Sequence, residues 1–199
     1  MANKPVVAAF DFDVTITTKD TFIPFLYWAF GRMKVYKTFC MLLPEVIKVG
    51  LKFSNRDILK ERIVAALFTG KSSKHLKIMG AGYASSFTTL IRPKAQERIK
   101  WHKEQGHRLV IVSASLNLYL DKAAKDLGFD DLLCTRLEEK NEQFTGKLQG
   151  ANCRCQEKVN RLINLLGDLS QYELFAYGDS AGDTQMLEIA DHPAYKIFE

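Results

Sequence analysis

The chain has 199 residues, 47% hydrophobic and 26% charged, the balance of an ordinary soluble globular protein long enough to bury a core. Its formal charge of +5 favours anionic substrates or an acidic surface. The basic residues are spread out, and Lys94, Arg98, Lys100 and Lys103 read as a solvated helix face, so no nucleic-acid partner is expected.

Met1 to Pro5 leads into a short apolar run unlike a secretory signal, and a cytoplasmic location is expected. That run, Val6-Val7-Ala8-Ala9-Phe10, is β-prone and does not alternate, the pattern of a parallel strand buried on both faces. It passes directly into Asp11-Phe12-Asp13-Val14-Thr15. Open α/β sheets place their ligands at the carboxyl edge of such strands. Two aspartates two residues apart repel each other unless a cation lies near them, so the pair asks for a hard divalent metal, best Mg²⁺. Val14 implies a backbone with negative φ at its position.

From Thr18 to Ile91 the periodicity is helical, and no convincing strand follows until about Arg108. A βαβ crossover needs only a dozen or more residues, so most of this stretch reads as a helical insert over the carboxyl edge. Four helices are predicted. Asp20 can cap the first, running through Phe22 and Phe30 to Gly31; the second runs from about Lys34 to Gly50 with a bend at Pro44. Ser54-Asn55-Arg56-Asp57 has capping-box spacing for a third that stops at Gly70, and Ser72 or Ser73 opens the fourth. Arg32, Lys34, Lys37, Glu45 and Lys48 interrupt the apolar density between Phe22 and Leu51 too often for a membrane-spanning helix. An apolar interior packed on the rest of the chain is favoured over peripheral membrane contact through an interfacial helix with basic residues beside Trp28, Tyr36 and Phe39.

Pro93 suits the first turn of a helix running to Gly106. His107 to Ser115 reads as a buried strand, Leu116 to Leu127 as a helix closed by Gly128, and Leu132 to Thr135 as a short strand. Arg136 to Leu148 looks like a β-hairpin excursion. Gln156 to Leu166 is helical, Glu173 to Tyr177 is a strand ending at Gly178-Asp179, a helix runs through Asp183 and Met186, and Tyr195 to Phe198 is a final strand. Strands alternating with helices predict an α/β fold with a doubly wound, Rossmann-like parallel sheet. Its core comprises 1–17 and 92–199, with 18–91 as the helical insert. Cys40, Cys134, Cys153 and Cys155 are scattered, so reduced thiols are expected rather than disulfides, and Cys153-x-Cys155 has the wrong spacing for a zinc knuckle.

Asp11-x-Asp13-x-Thr15 after an apolar strand resembles the first signature of the haloacid dehalogenase superfamily. Three further elements follow in the matching order: Ser113 ending the second buried strand, Lys158 near a helix start, and Asp179 with Asp183 after the later strand. The resemblance implies a helical cap inserted after the first strand and Mg²⁺-dependent hydrolysis of a small phosphate monoester through an aspartyl phosphate. By the same resemblance Asp11 is the nucleophile and Asp13 the general acid and base. The metal is held by Asp11, the backbone carbonyl of Asp13 and Asp179, with Asp183 supporting it. Ser113 donates to a phosphoryl oxygen, Lys158 supplies positive charge, and Thr15 buttresses the loop.

Within the superfamily the chain is most similar to the phosphoserine phosphatase-like branch. An acid and a cap arginine that bind the amino acid substrate there fall near Asp20 and Arg62, and Ser115 is a further candidate contact. Ser113-Ala114-Ser115 stands where those relatives have Ser-Gly-Gly, and Gly182 replaces an asparagine, which weakens phosphoserine as the substrate. The apolar insert resembles that of bacterial phosphatidylglycerophosphate phosphatases, so a lipid phosphate at a membrane surface is the first alternative. A phosphoacceptor module without turnover is another, and the leaving-group acid Asp13 argues against it.

Overall fold

A computed structural model describes residues 4–51, 53 and 55–199. Five strands form one sheet: β1 (Val6–Phe10), β2 (Arg108–Leu116), β3 (Asp131–Thr135), β6 (Glu173–Gly178) and β7 (His192–Tyr195). A separate antiparallel hairpin joins β4 (Leu137–Lys140) to β5 (Gln143–Leu148). The sheet runs β3-β2-β1-β6-β7 and every pairing in it is parallel. Val7 and Ala9 face α8 (Gln156–Leu166) and α9 (Thr184–Glu188), meeting Leu162, Leu166 and Met186. Ala8 and Phe10 face the other way, toward α6 (Pro93–Glu104) and α7 (Asn117–Leu127) through Ile99 and Ala123. Burial on both faces explains why β1 is apolar without alternation.

The strand order reverses at β1, because β2 and β3 lie on one side and β6 and β7 on the other. The crevice at such a reversal is where doubly wound sheets bind their ligands. The last strand corrects the sequence reading, for it spans His192–Tyr195 rather than 195–198. Asp191 accepts from the Leu174 N–H (2.8 Å) and the His192 ring stacks on Phe175 (4.1 Å), which starts the strand early. Phe198 instead turns back to stack on Tyr177 (5.4 Å).

Within the insert, 18–91, the described residues form five α-helices rather than the predicted four: α1 (Phe22–Phe30), α2 (Arg32–Met41), α3 (Leu43–Gly50), α4 (Arg56–Phe68) and α5 (Ser73–Ala84). The expected long second helix is interrupted at Leu42, because Pro44 sits in the first turn of α3 and lacks an N–H. Ser54, the predicted cap of the third helix, lies outside the described residues; Asn55 caps α4 by accepting from the Ile58 N–H (2.8 Å). The chain enters and leaves this segment side by side, with Thr18 N–H on Leu90 O (2.8 Å) and Arg92 N–H on Ile16 O (2.9 Å).

The hairpin grips the same segment. Gly70 N–H donates to Phe144 O (2.8 Å), Phe144 N–H to Lys71 O (2.9 Å), and the Ser73 hydroxyl to Glu139 (2.6 Å). Phe25, Leu26, Val35 and Phe68 form the buried interior expected of the insert, whereas Met33, Tyr36, Ile47 and Phe53 are exposed. Among the described residues no helix is long and apolar enough to cross a membrane.

Candidate active site

Past Phe10 the chain enters a loosened helical turn, Phe12–Ile16, whose path is broken at Asp13 and Val14. The expected negative φ at Val14 is corrected: it stands at φ 62°, in the left-handed region. Thr17 closes the turn, its N–H on Phe12 O (3.0 Å) and its Oγ1 accepting from the Val14 N–H (3.2 Å). Tertiary bonding thus holds a β-branched residue where it costs on the order of 1–3 kcal/mol.

Asp11 is buried at the head of this turn. Its Oδ1 accepts from Lys158 Nζ at 2.6 Å, and the same ammonium donates to Asp183 Oδ1 at 2.5 Å. Lys158 reaches there from the first turn of α8, into which Cys155 turns the chain at φ 53°. The Thr15 hydroxyl lies between two acids, 3.1 Å from Asp179 and 3.5 Å from Asp11. Asp183 in turn organises the loop after β6, accepting from the Asp179 and Ser180 N–H groups and from the Ser180 hydroxyl. Gly178 is needed there, since a Cβ would stand 2.6 Å from that of Asp183.

Asp11, Asp179 and Asp183 offer oxygens within 4.8 Å of one another. Among the described residues one ammonium, that of Lys158, lies within hydrogen-bond reach of this trio. Burial pushes the Asp11 carboxyl up to about 7 despite Lys158, and Asp183 adds to the rise. Burial and Asp183 likewise raise Asp179. Burial opposes ionisation of Asp183 too, but the Lys158 ammonium and the Ser180 donors hold it below its ordinary value. A trio of hard oxygen donors short of positive charge fits a divalent cation such as Mg²⁺.

Asp13 points elsewhere. Its Oδ1 accepts from the Thr21 N–H (2.7 Å) and hydroxyl (2.5 Å), and its Oδ2 from the Ser115 hydroxyl. Burial, followed by the charge of Asp20, pushes this carboxyl up to about 6. Asp20 itself caps α1, accepting from the Phe22 and Ile23 N–H groups. Ser113 lies two residues past Ile111, which pairs with Phe10, so it sits at the same edge. Its oxygen accepts from the Ser115 N–H (3.1 Å), and among the described residues its hydroxyl donates to no other group.

Arg62 is not brought to this edge; it lies exposed on α4 and pairs with Glu45 (3.4 Å). Lys60, two residues earlier, reaches in instead. Its ammonium donates to Ala114 O and to Asn152 Oδ1 (2.9 Å), and burial lowers it to about 8 although Asp13 and Asp57 oppose the drop. Asn152 also accepts from Thr135 (2.7 Å) and donates to Asp57 (2.6 Å), so it ties α4 to the loop before α8. Sequence reasoning missed Lys60, Asn152 and Thr21: Lys60 is one of several cations on α4, Thr21 precedes α1 and Asn152 lies in a loop, and none carries a local signal. Arg154 explains Gly182: its Cγ and Nε lie 3.2 Å from where a Cβ would stand, filling the space an asparagine side chain would enter.

A carboxylate paired with a buried lysine at the switch point of a doubly wound sheet, beside two further acids, defines a carboxylate-centred α/β hydrolase. The chain belongs to the haloacid dehalogenase-like hydrolase family, whose model matches residues 8–188, and to its phosphoserine phosphatase-like branch of phosphatases. It is 36% identical to protein CicA of Caulobacter vibrioides over 200 residues, covering 100% of this chain and 89% of that one. It is 25% identical over 194 residues to the phosphoserine phosphatase of Methanocaldococcus jannaschii, covering 96% and 84%. A solved substrate-bound phosphoserine phosphatase complex shares the fold, with a TM-score of 0.61 and 20% identity over 94% of this chain and 84% of that one.

Proposed function

We propose that the protein hydrolyses a small phosphate monoester through an aspartyl phosphate on Asp11. The observation that carries this reading is the Lys158 ammonium held between Asp11 and Asp183 at the switch point. Asp11 attacks phosphorus as the ester oxygen leaves, and Asp13 gives that oxygen a proton. Asp13 then takes a proton from water as the water oxygen displaces Asp11, releasing phosphate. To serve, Asp13 exchanges one of its bonds to Thr21 or Ser115 for one to the leaving oxygen. Lys158 and the Ser113 hydroxyl engage the phosphoryl oxygens, whose charge must be offset for attack.

Asp11 and Asp179 would hold Mg²⁺ together with the backbone carbonyl of Asp13, with Asp183 supporting. When bound it supplies further charge neutralisation on the phosphoryl group. Residues 18–91 act as a cap over the core formed by 1–17 and 92–199, and Lys60 is a cap cation that reaches the edge and interacts with Asp13. Asp20 stays close enough to influence Asp13, while Arg62 serves the helix surface.

The test is phosphate release from phosphorylated amino acids, sugars, nucleotides and lipids, with Mg²⁺ and with EDTA. Metal-dependent release that Asp11→Asn lowers by at least a thousandfold, roughly 4 kcal/mol of barrier, supports the proposal. Folded protein that releases nothing, or an Asp11→Asn variant within tenfold of wild type, overturns it. A phosphorylated chain that persists for hours would indicate a phosphoacceptor.

A further inference from the structure

α2 and α3 are nearly one helix. Leu42 separates them, yet its N–H donates to Thr38 O (2.9 Å) and the Val46 N–H donates to Leu42 O (3.0 Å), so the backbone ladder continues. Along one side Val35, Thr38 and Glu45 are buried. Along the other, Met33, Tyr36, Cys40, Leu43, Ile47 and Leu51 follow at steps of three or four residues, and all are exposed. That spacing places them on one face of a helix. Phe53, 83% exposed, extends the row, and Met33 is 70% exposed. Single exposed apolar residues are ordinary, but a contiguous row marks a surface that something covers.

The charges beside this row have one sign. Arg32, Lys34 and Lys37 are exposed on α2, which carries no acid. The one acid of α3, Glu45, is buried and paired with Lys48 and Arg62. Lys34 lies near Lys71, which adds to burial in lowering its proton affinity. Arg32 and Lys34 also sit over the Tyr27 and Phe30 rings. In a twofold pairing of two copies this patch would meet itself, cations against cations. An anionic surface relieves that repulsion, and the exposed Tyr36 is suited to its polar boundary.

We propose that the α2–α3 face docks on an anionic lipid bilayer, its apolar row entering the headgroup boundary while Arg32 and Lys37, on either flank of the row, engage the headgroups. The docking does not rest on the phosphatase reading, and its test does not use activity. Full-length protein is floated with vesicles of phosphatidylcholine alone or mixed with phosphatidylserine. Binding to the anionic vesicles should exceed that to neutral ones by roughly thirtyfold, about 1 kcal/mol for each of two cations, and weaken with salt. The variant Tyr36→Ser/Ile47→Ser/Phe53→Ser should keep its circular dichroism and stop floating. Arg32→Glu/Lys37→Glu, at two exposed positions flanking the row, should keep the fold and lose the preference for anionic vesicles. Wild type that stays unbound on anionic vesicles at low salt overturns the proposal, as does either folded variant binding like wild type. A wild-type dimer that the serine variant dissolves, with no vesicle binding, assigns the face to a second copy instead.

Discussion

At the carboxyl edge of the sheet almost every charge is buried and has a partner: Lys158 with Asp11 and Asp183, Asp13 with Thr21 and Ser115, Lys60 with Ala114 and Asn152. On the outer face of α2 and α3 the reverse holds, for large apolar side chains stand in solvent and the cations beside them lack nearby acids on their own helix. Neither arrangement is what folding alone would select. A desolvated cluster of like charges lowers stability, and an apolar row in water lowers solubility. The first is kept where chemistry is done on charged groups, and the second where contact with something else completes the surface.

The largest effect expected on stability comes from breaking the edge. Lys158→Met removes the ammonium and leaves Asp11 and Asp183 buried without it, a loss of roughly 3–5 kcal/mol at neutral pH in EDTA. Urea melts showing less than 1 kcal/mol would mean that the edge is as tolerant as the outer face. Asn152 gives the next effect. Asn152→Asp sets a carboxylate where an amide donates to Asp57, and coupling of roughly 2 kcal/mol is expected. The double variant Asp57→Asn/Asn152→Asp should recover most of it, since the amide then donates from α4. A double-mutant cycle without recovery would show that the tie between α4 and the core is incidental.

The underside of the sheet sharpens the comparison through pH. His102 is fully buried between Phe10, Trp101 and Phe175, its Nδ1 2.7 Å from that of His107 and its Nε2 2.8 Å from the Tyr177 hydroxyl. Burial, with His107 and Arg98 adding, lowers it to about 4 from an ordinary 6.5. The unfolded chain therefore binds this proton at a pH where the folded chain does not. Stability from His102 is fully present above about 6.5 and declines as pH falls toward about 4, by on the order of 2 kcal/mol. His102→Gln should flatten that part of the melting profile; an unchanged slope would place the pH dependence elsewhere.

Most of the edge was legible because each residue is announced locally. Asp11 and Asp179 follow apolar strands, Ser113 lies near the carboxyl end of another, at a register shift, and Lys158 and Asp183 stand at helix starts. What escaped depends on contacts between distant segments. Lys60 and Arg62 are two positions apart on α4, roughly 200° around the helix, and which one faces the edge is set by how α4 is anchored through Asp57 and Asn152. Asn152 lies in a loop with no periodic pattern to mark it. The final strand was misplaced because His192 and Pro193 look nothing like a strand, and an edge position tolerates them. The apolar density of the insert was read as interior, and half of it is.

The smallest effect concerns Val14, where a general propensity for negative φ was overridden. Its N–H bond to Thr17 Oγ1 holds it at φ 62°, and Cys155, its N–H on Gly182 O, stands at φ 53°. Glycine loses nothing sterically in that region, though it gives back some stability through the freedom of the unfolded chain. Val14→Gly should therefore raise the melting free energy by about 0.5–1 kcal/mol, with Cys155→Gly moving in the same direction. The same change at Gln156, the first residue of a regular helix, should lower it by a few tenths of a kcal/mol, because the full glycine penalty applies only to helix interiors. If thermal melts instead show Val14→Gly to be less stable than wild type, the turn carries no strain, and Val14 contributes packing that outweighs its backbone.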